Sequence, residues 1–299
     1  MHIWIIKDDK LGHLNQGRGL AQALEEQSEQ PTYLTELPFL PFLESFLWLF
    51  GVFPKSWKAL LNQHDLITPD YVFGAGRRNH LSIAMCRLKL GATGIVLSKP
   101  NWPKCFFNYC VIPEHDEVKP KAKVMVTTGA MNKVRPSKTL DPEKGIILIG
   151  GESSHYIWDD EALIKQIDSV VQSSKMKWVL TVSRRTPDSF IKALKQQSLD
   201  IDLYEETPAN WLPQQLAVSG TVWVTPDSVS MLYEALSSGG NVGLLNLTPA
   251  KMSRVARSAQ KLLDDGKLAQ ISEGRVIEAK DPLVLDEATR IAKWILRQN

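Results

Sequence analysis

The segment Thr221 to Gly239, TVWVTPDSVSMLYEALSSG, joins a short apolar strand to a polar turn and a helix start, an arrangement able to hold a nucleoside diphosphate. Val229, Leu232, Tyr233 and Leu236 recur at i, i+3, i+4 and i+7, so this helix is expected to bury one stripe while Ser230 and Glu234 share a different face. Asp227 is the expected N-cap. The unpaired N–H groups of the first turn, with the hydroxyls of Ser228 and Ser230, suit phosphate oxygens, and Glu234 one turn further on suits a ribose hydroxyl. A capped helix after a strand also serves as plain structure, and the segment alone leaves both readings open.

Other polar residues follow apolar runs in the same way. His13, just after Gly12 and the run Ile3 to Ile6, is the first candidate for a general base, with Asp8 and Asp9 as alternatives or orienting partners and Gln16 close by. Ser183, Arg184 and Arg185 follow the run Trp178 to Val182, where cationic side chains can neutralise a diphosphate. Gly150 and Gly151 lead into Ser153, Ser154 and His155, a second polar loop read as a phosphate or acceptor contact. Arg77, Arg78 and the trio Glu114, His115 and Asp116 are expected at the acceptor side, together with Gly12 and Gln16. Transfer to an acceptor hydroxyl needs one base and several cationic or N–H donors, and calls for no metal and no cofactor beyond the nucleotide sugar itself. Neither GxGxxG nor GxxxxGK[ST] occurs, which argues against nicotinamide and P-loop chemistry.

Residues placed this way need strand ends to carry them. Short β-rich runs at 3–6, 71–73, 94–97, 110–112 and 124–126, then at 146–149, 178–182, 202–204, 222–224 and 242–245, alternate with helical patterns. The alternation predicts an α/β fold with parallel sheets and crossover helices. Polar, proline-containing residues 131–144 divide the two series. The expected organisation is a Rossmann-like acceptor domain over 1–136, a Rossmann-like nucleotide-sugar domain over 144–284, and a C-terminal helix from 285 returning to the first domain. The two domains are expected to face a central cleft.

Composition narrows the partners. The 299 residues are 43% hydrophobic and 23% charged, ordinary for a folded protein, and the net charge is +2. Lys and Arg are dispersed and no zinc spacing occurs, which excludes nucleic acid as the main partner. Cys86, Cys105 and Cys110 form no CxxC pair and Met1 to Lys7 has no secretory character, so a cytoplasmic location is expected. The stretch Phe39 to Trp57 is strongly apolar, but Pro41, Glu44, Gly51 and Pro54 interrupt it too often for a bilayer span. With Lys55 and Lys58 beside Trp48 and Trp57, it reads either as a peripheral membrane contact at the inner face of the cytoplasmic membrane or as a helix pair closing the core.

Several segments together, in order along nearly the whole chain, resemble the mitochondrial-fission (elongated-mitochondria) family. They are Lys10 to Gln16, Gly74 to Arg78, Pro113 to Asp116, Thr128 to Asn132, Gly150 to Trp158, Thr181 to Pro187 and Thr225 to Met231. The resemblance implies a two-domain fold of the GT-B type and, from the plant member, recruitment of a dynamin-related protein to a mitochondrial surface. Asp227 to Gly239 also resembles the donor-binding helix of GT-B glycosyltransferases acting on peptidoglycan lipid intermediates. There a Ser/Thr-rich turn meets the diphosphate and a later Glu meets the ribose; Ser228, Ser230 and Glu234 match those roles, while Thr225-Pro226-Asp227 replaces the usual glycine-rich turn. The leading expectation is a metal-independent glycosyltransferase using a nucleotide-diphosphate sugar, with a lipid-linked, cell-envelope or glycan acceptor. A noncatalytic adaptor binding a protein partner at a membrane surface and a nucleotide-sugar epimerase are the alternatives.

Overall fold

The computed structural model describes residues 1–61, 68–208 and 210–298, and for His115 the backbone alone. The chain divides into two compact bodies, one of Met1–Lys133 with Asp286–Asn299, the other Val134–Leu285.

The first body contains β1 (His2–Lys7), α1 (Leu11–Ser28), β2 (Tyr33–Pro38), α2 (Phe42–Leu49), α3 (Lys55–Leu61), β3 (Tyr71–Gly74), α4 (Asn79–Leu90), β4 (Thr93–Val96), β5 (Tyr109–Pro113) and β6 (Val124–Thr127). Its strands form one sheet in the order β2-β1-β3-β4-β5-β6, every neighbouring pair parallel. β1 is apolar at successive positions because helices cover both sheet faces. Ile3 and Ile5 point to a core shared with Leu20 and Leu24 of α1, while Trp4 and Ile6 point to a second core with Trp57 of α3 and Ile83 of α4.

The second body contains β7 (Asp141–Ile149), β8 (Tyr156–Ile157), α5 (Asp160–Gln172), β9 (Lys177–Val182), α6 (Asp188–Lys195), β10 (Ile201–Tyr204), α7 (Trp211–Leu216), β11 (Ser219–Val224), α8 (Val229–Ser237), β12 (Asn241–Leu244), β13 (Thr248–Pro249), α9 (Arg254–Asp264), β14 (Ala269–Ser272) and β15 (Arg275–Ile277). Its main sheet runs β10-β9-β7-β11-β12-β14-β15, parallel except for the β14–β15 hairpin. Two glycines let this sheet hold indole rings: a Cβ at Gly145 would strike Trp178, and one at Gly243 would strike Trp223. The final helix, α10 (Glu287–Leu296), returns to the first body, where Ala288, Ile291, Ala292 and Ile295 enter the α1 core.

The ten strand runs read from sequence all form strands. The sequence reading missed β2, an edge strand whose Thr35 and Glu36 are only half-buried, so its polar content hides the strand period. It also missed the β8–β13 and β14–β15 pairs, which are too short to carry a periodicity. The polar stretch 131–144 does not stay irregular: β7 already begins at Asp141 and pairs with Ser219 there. Among the described residues, no helix is long and apolar enough to cross a membrane.

In each body the strand order reverses beside its first strand, between β1 and β3 and between β7 and β11. The carboxyl ends of such strand pairs form the crevices where open α/β sheets bind ligands. Because α10 supplies four buried residues to the first core, Ile291→Ala should lower the unfolding free energy of that body by about 2–5 kcal/mol. Urea unfolding followed by Trp fluorescence measures it; a loss under about 0.5 kcal/mol would make α10 an appendage.

Candidate functional site

At the first crevice, the turn after β1 carries Asp8 and α1 carries His13 in its first turn. His13 Nδ1 lies 2.8 Å from Asp8 Oδ2, and Asp8 Oδ1 accepts the Lys10 N–H at 3.1 Å. The contact engages Nδ1 and leaves Nε2 as the ring nitrogen outside the pair. His13 stays 27% exposed while Asp8 is nearly buried, which suits a base with an orienting acid behind it. The pair requires Gly76 from the turn after β3: its φ is +94°, and a Cβ there would lie 2.6 Å from both Asp8 Oδ2 and His13 Nδ1.

Gly12 faces open space, with no atom within 4 Å of where a Cβ would stand, and half-buried Gln16 follows one turn later. Asp9 is not the partner of His13. It accepts from Arg78 Nη1 at 3.0 Å, and the Arg78 guanidinium lies over the Phe39 ring, 5.5 Å from its centroid. Arg77 is exposed. His115 lies in a single helical turn, Glu114–Asp116, and its side chain is outside the described part. The sequence reading missed Asn79, whose buried amide donates to the carbonyls of Ile6 at 2.9 Å and Ala75 at 2.6 Å and so ties together the ends of β1 and β3. It also passed over His80, which burial and the neighbouring Arg77 charge hold down at about 4, keeping it neutral.

At the second crevice the expected N-cap is corrected. Ser228, not Asp227, is the N-cap of α8, and its side chain makes no capping bond. The Asp227 carboxylate is fully buried and turned to the neighbouring loops: Oδ2 accepts Gly151 N–H at 3.0 Å and Arg185 Nη2 at 2.9 Å. Arg185 donates its other terminal nitrogen to the Glu152 carbonyl at 2.9 Å. Gly150 N–H goes to Thr225 Oγ1 at 2.8 Å. The N–H groups of Gly150 and Gly151 are therefore occupied within the protein, and Asp227 and Arg185 are a clamp for the rim.

Ser183 belongs to the same clamp, donating Oγ to the Gly150 carbonyl at 2.7 Å and accepting the Arg185 N–H at 3.1 Å. Thr186 Oγ1 accepts Ser183 N–H at 2.9 Å and donates to the Gly150 carbonyl. Thr186 and Thr225 escaped the sequence reading because a threonine's partners 36 and 75 positions away leave no local signal. Ser153 Oγ accepts His155 N–H at 3.2 Å, and the His155 ring keeps a buried Nδ1 without a protein partner.

What stays open to a ligand is narrower than the sequence indicated. Arg184 is exposed and makes no ion pair among the described residues. The first-turn N–H groups of α8 lack a side-chain cap, Ser228 is half-buried and Ser230 is exposed. Ser230 Oγ donates to Glu234 Oε1 at 3.2 Å. Burial holds the Glu234 carboxyl above its ordinary value, and the Ser230 hydrogen bond only partly opposes the shift. Burial and the nearby Asp227 charge likewise push the Tyr156 phenol up to about 12. Among the described residues no group of three or more His, Cys, Asp or Glu is arranged to hold a metal ion.

A sequence model of the family described as Mitochondrial fission ELM1 matches residues 11–299. The uncharacterized protein RP120 of Rickettsia prowazekii (strain Madrid E) is 24% identical over 290 residues, covering 80% of this chain and 81% of its own. Among solved structures, the UDP-GlcNAc 2-epimerase of Methanocaldococcus jannaschii aligns over 100% of both chains with a TM-score of 0.57 at 12% identity. MurG from Acinetobacter baumannii aligns over 99% of both chains with a TM-score of 0.52 at 11% identity. At such identities the likeness is one of fold: two Rossmann-like domains of the GT-B type.

Glu234 gives a stability test of this site. A carboxyl whose folded value is raised destabilises the fold in its ionised form, so the cost is absent below the unfolded value of 4.5 and complete above the raised folded value. Wild type should lose stability as pH rises through that window, and Glu234→Gln should remove that loss. Urea unfolding between pH 4 and pH 7, about the range over which such a group ionises, measures it; parallel pH curves for the two proteins would contradict the assignment.

Proposed function

The chain belongs to the Mitochondrial fission ELM1 family, and we propose that it is a glycosyltransferase that uses a nucleotide-diphosphate sugar without a metal ion. The observation that carries the reading is the start of α8: uncapped N–H groups, the Ser228 and Ser230 hydroxyls, and a half-buried Glu234 one turn away. Helix N–H groups and hydroxyls suit the two phosphates, with Arg184 as the exposed cation that balances charge on the leaving diphosphate. Glu234 accepts from the ribose diol, and those hydrogen bonds offset the cost of its burial. Asp227, Arg185, Ser183 and Thr225 act behind the ligand by fixing the loops on either side of α8. The relatives of known structure include a protein named as a UDP-GlcNAc 2-epimerase, which makes uridine nucleotides the first to test.

In the first body, His13 Nε2 takes the proton of an acceptor hydroxyl, and Asp8 stabilises the imidazolium that forms. Gly12, Gln16 and Arg77 are the proposed acceptor contacts in this body, and a membrane-associated or cell-envelope acceptor is the class we favour. The nucleotide sugar is a co-substrate in this reading, and no resident cofactor is proposed.

A thermal-shift panel of UDP, GDP, CMP, ADP and their sugars tests the donor site. At about 100 times its dissociation constant the cognate nucleotide should stabilise the fold by roughly 2.7 kcal/mol, and Glu234→Ala should abolish the shift. His13→Gln should leave that shift intact while lowering turnover by about 10²–10⁴-fold. No response to any nucleotide would remove the enzyme reading in favour of an adaptor.

A further inference from the structure

Nucleotide chemistry leaves the apolar segment of the first body unexplained. Its inward side closes the core: Trp48 of α2 and Trp57 of α3 are buried edge-on, ring centroids 5.7 Å apart. The outward side of α2 is apolar as well. Phe42 is 72% exposed, Leu43 65% and Phe46 46%, and Phe50 just beyond the helix is 74% exposed. Phe42, Phe46 and Phe50 recur every four residues and touch in series, with ring centroids 6.4 and 5.2 Å apart, so they form one aromatic ridge. Alongside it lies an apolar groove of about 380 Å³, bordered by Leu81 and Leu88 of α4 and by Trp102 and Phe106. A folded body does not leave so continuous an apolar surface in water without a use.

The charges beside the ridge select its occupant. Arg87 lines the groove and donates to the Cys105 carbonyl at 3.2 Å, and Lys89 donates to the Leu49 carbonyl at 2.7 Å. Lys104, Lys55 and Lys58 follow on the adjoining segments, and among the described residues none of these five cations pairs with a carboxylate. The sole acid of residues 39–61 is Glu44, which turns to Ser56 and accepts its N–H at 3.1 Å and its hydroxyl at 2.7 Å. A second copy docked by two-fold symmetry would set these cationic rims against each other. A bilayer rich in anionic lipid offers hydrocarbon for the ridge and negative headgroups for the rim. We infer that the outward face of α2, with Phe50 and the adjoining groove, lies in the headgroup boundary of an anionic lipid bilayer. At eight residues α2 is far too short to span a membrane, so it lies in the plane of the surface.

Sedimentation with vesicles tests this independently of the nucleotide reading. The full chain should bind phosphatidylcholine vesicles containing about one-third phosphatidylglycerol, and bind pure phosphatidylcholine at least about tenfold more weakly. Leu43→Glu with Phe46→Glu, and separately Arg87→Glu with Lys89→Glu, should each weaken binding by about tenfold or more and keep the wild-type melting temperature and nucleotide response. Three results would overturn the inference: no binding to anionic vesicles at low salt, equal binding to neutral vesicles, or a concentration-dependent dimer that the Leu43/Phe46 change disperses.

Discussion

The second body's rim depends on one buried carboxylate. Asp227 sits at the end of β11, receives the Gly151 N–H from the loop after β7 and the Arg185 guanidinium from the loop after β9, and so fastens three strand ends together. Both donors fall on Oδ2, while Oδ1 is buried without a protein partner. Gly150 follows from the same constraint, because a Cβ there would overlap the Asp227 carboxyl. The Thr225 hydroxyl on Gly150 N–H and the Ser183 and Thr186 hydroxyls on the Gly150 carbonyl complete the lattice. With these groups consumed, the start of α8 is left as the rim's open row of donors.

The first body solves a related problem with Asp8. One oxygen fixes the Lys10 N–H and the other fixes the His13 ring, and Gly76 takes a left-handed conformation to leave them room. Both carboxylates follow a first or crossover strand at a point where the strand order reverses. In the second body the carboxylate fixes the Gly151 N–H and the Arg185 guanidinium; in the first it fixes the Lys10 N–H and the His13 ring.

Much of this was legible in the residues, for reasons that can be named. The central strands of both sheets, such as β1, β3, β7 and β11, are largely buried and read as short apolar runs, and the α8 stripe of Leu232, Tyr233 and Leu236 is buried as its spacing requires. Ser230 and Glu234 share a face because they are four apart, and they are hydrogen-bonded. The sequence misassigned what depends on distant partners. Asp227 before a helix looks like a cap until Arg185, 42 positions upstream, claims its oxygen. That Thr225 and Asp227 take the N–H groups of Gly150 and Gly151, 75 and 76 positions away, has no local signal either. The Asn79 brace between β1 and β3 has no local signature, since its reach to Ile6 crosses 73 positions. The stretch around α2 closes the core with one side of the helix, as one of its two readings required, while its other side remains exposed.

The central claim is that α8 receives a nucleoside diphosphate at its first turn and the attached ribose at Glu234. A crystal structure of the protein soaked with UDP, or with whichever nucleotide stabilises it, tests this most directly. The account predicts phosphate oxygens within about 3 Å of the N–H groups of residues 228–230 and ribose hydroxyls on the Glu234 carboxylate, with the Asp227–Arg185 clamp unchanged. A nucleotide bound elsewhere, or one that must break the clamp to enter, would contradict it.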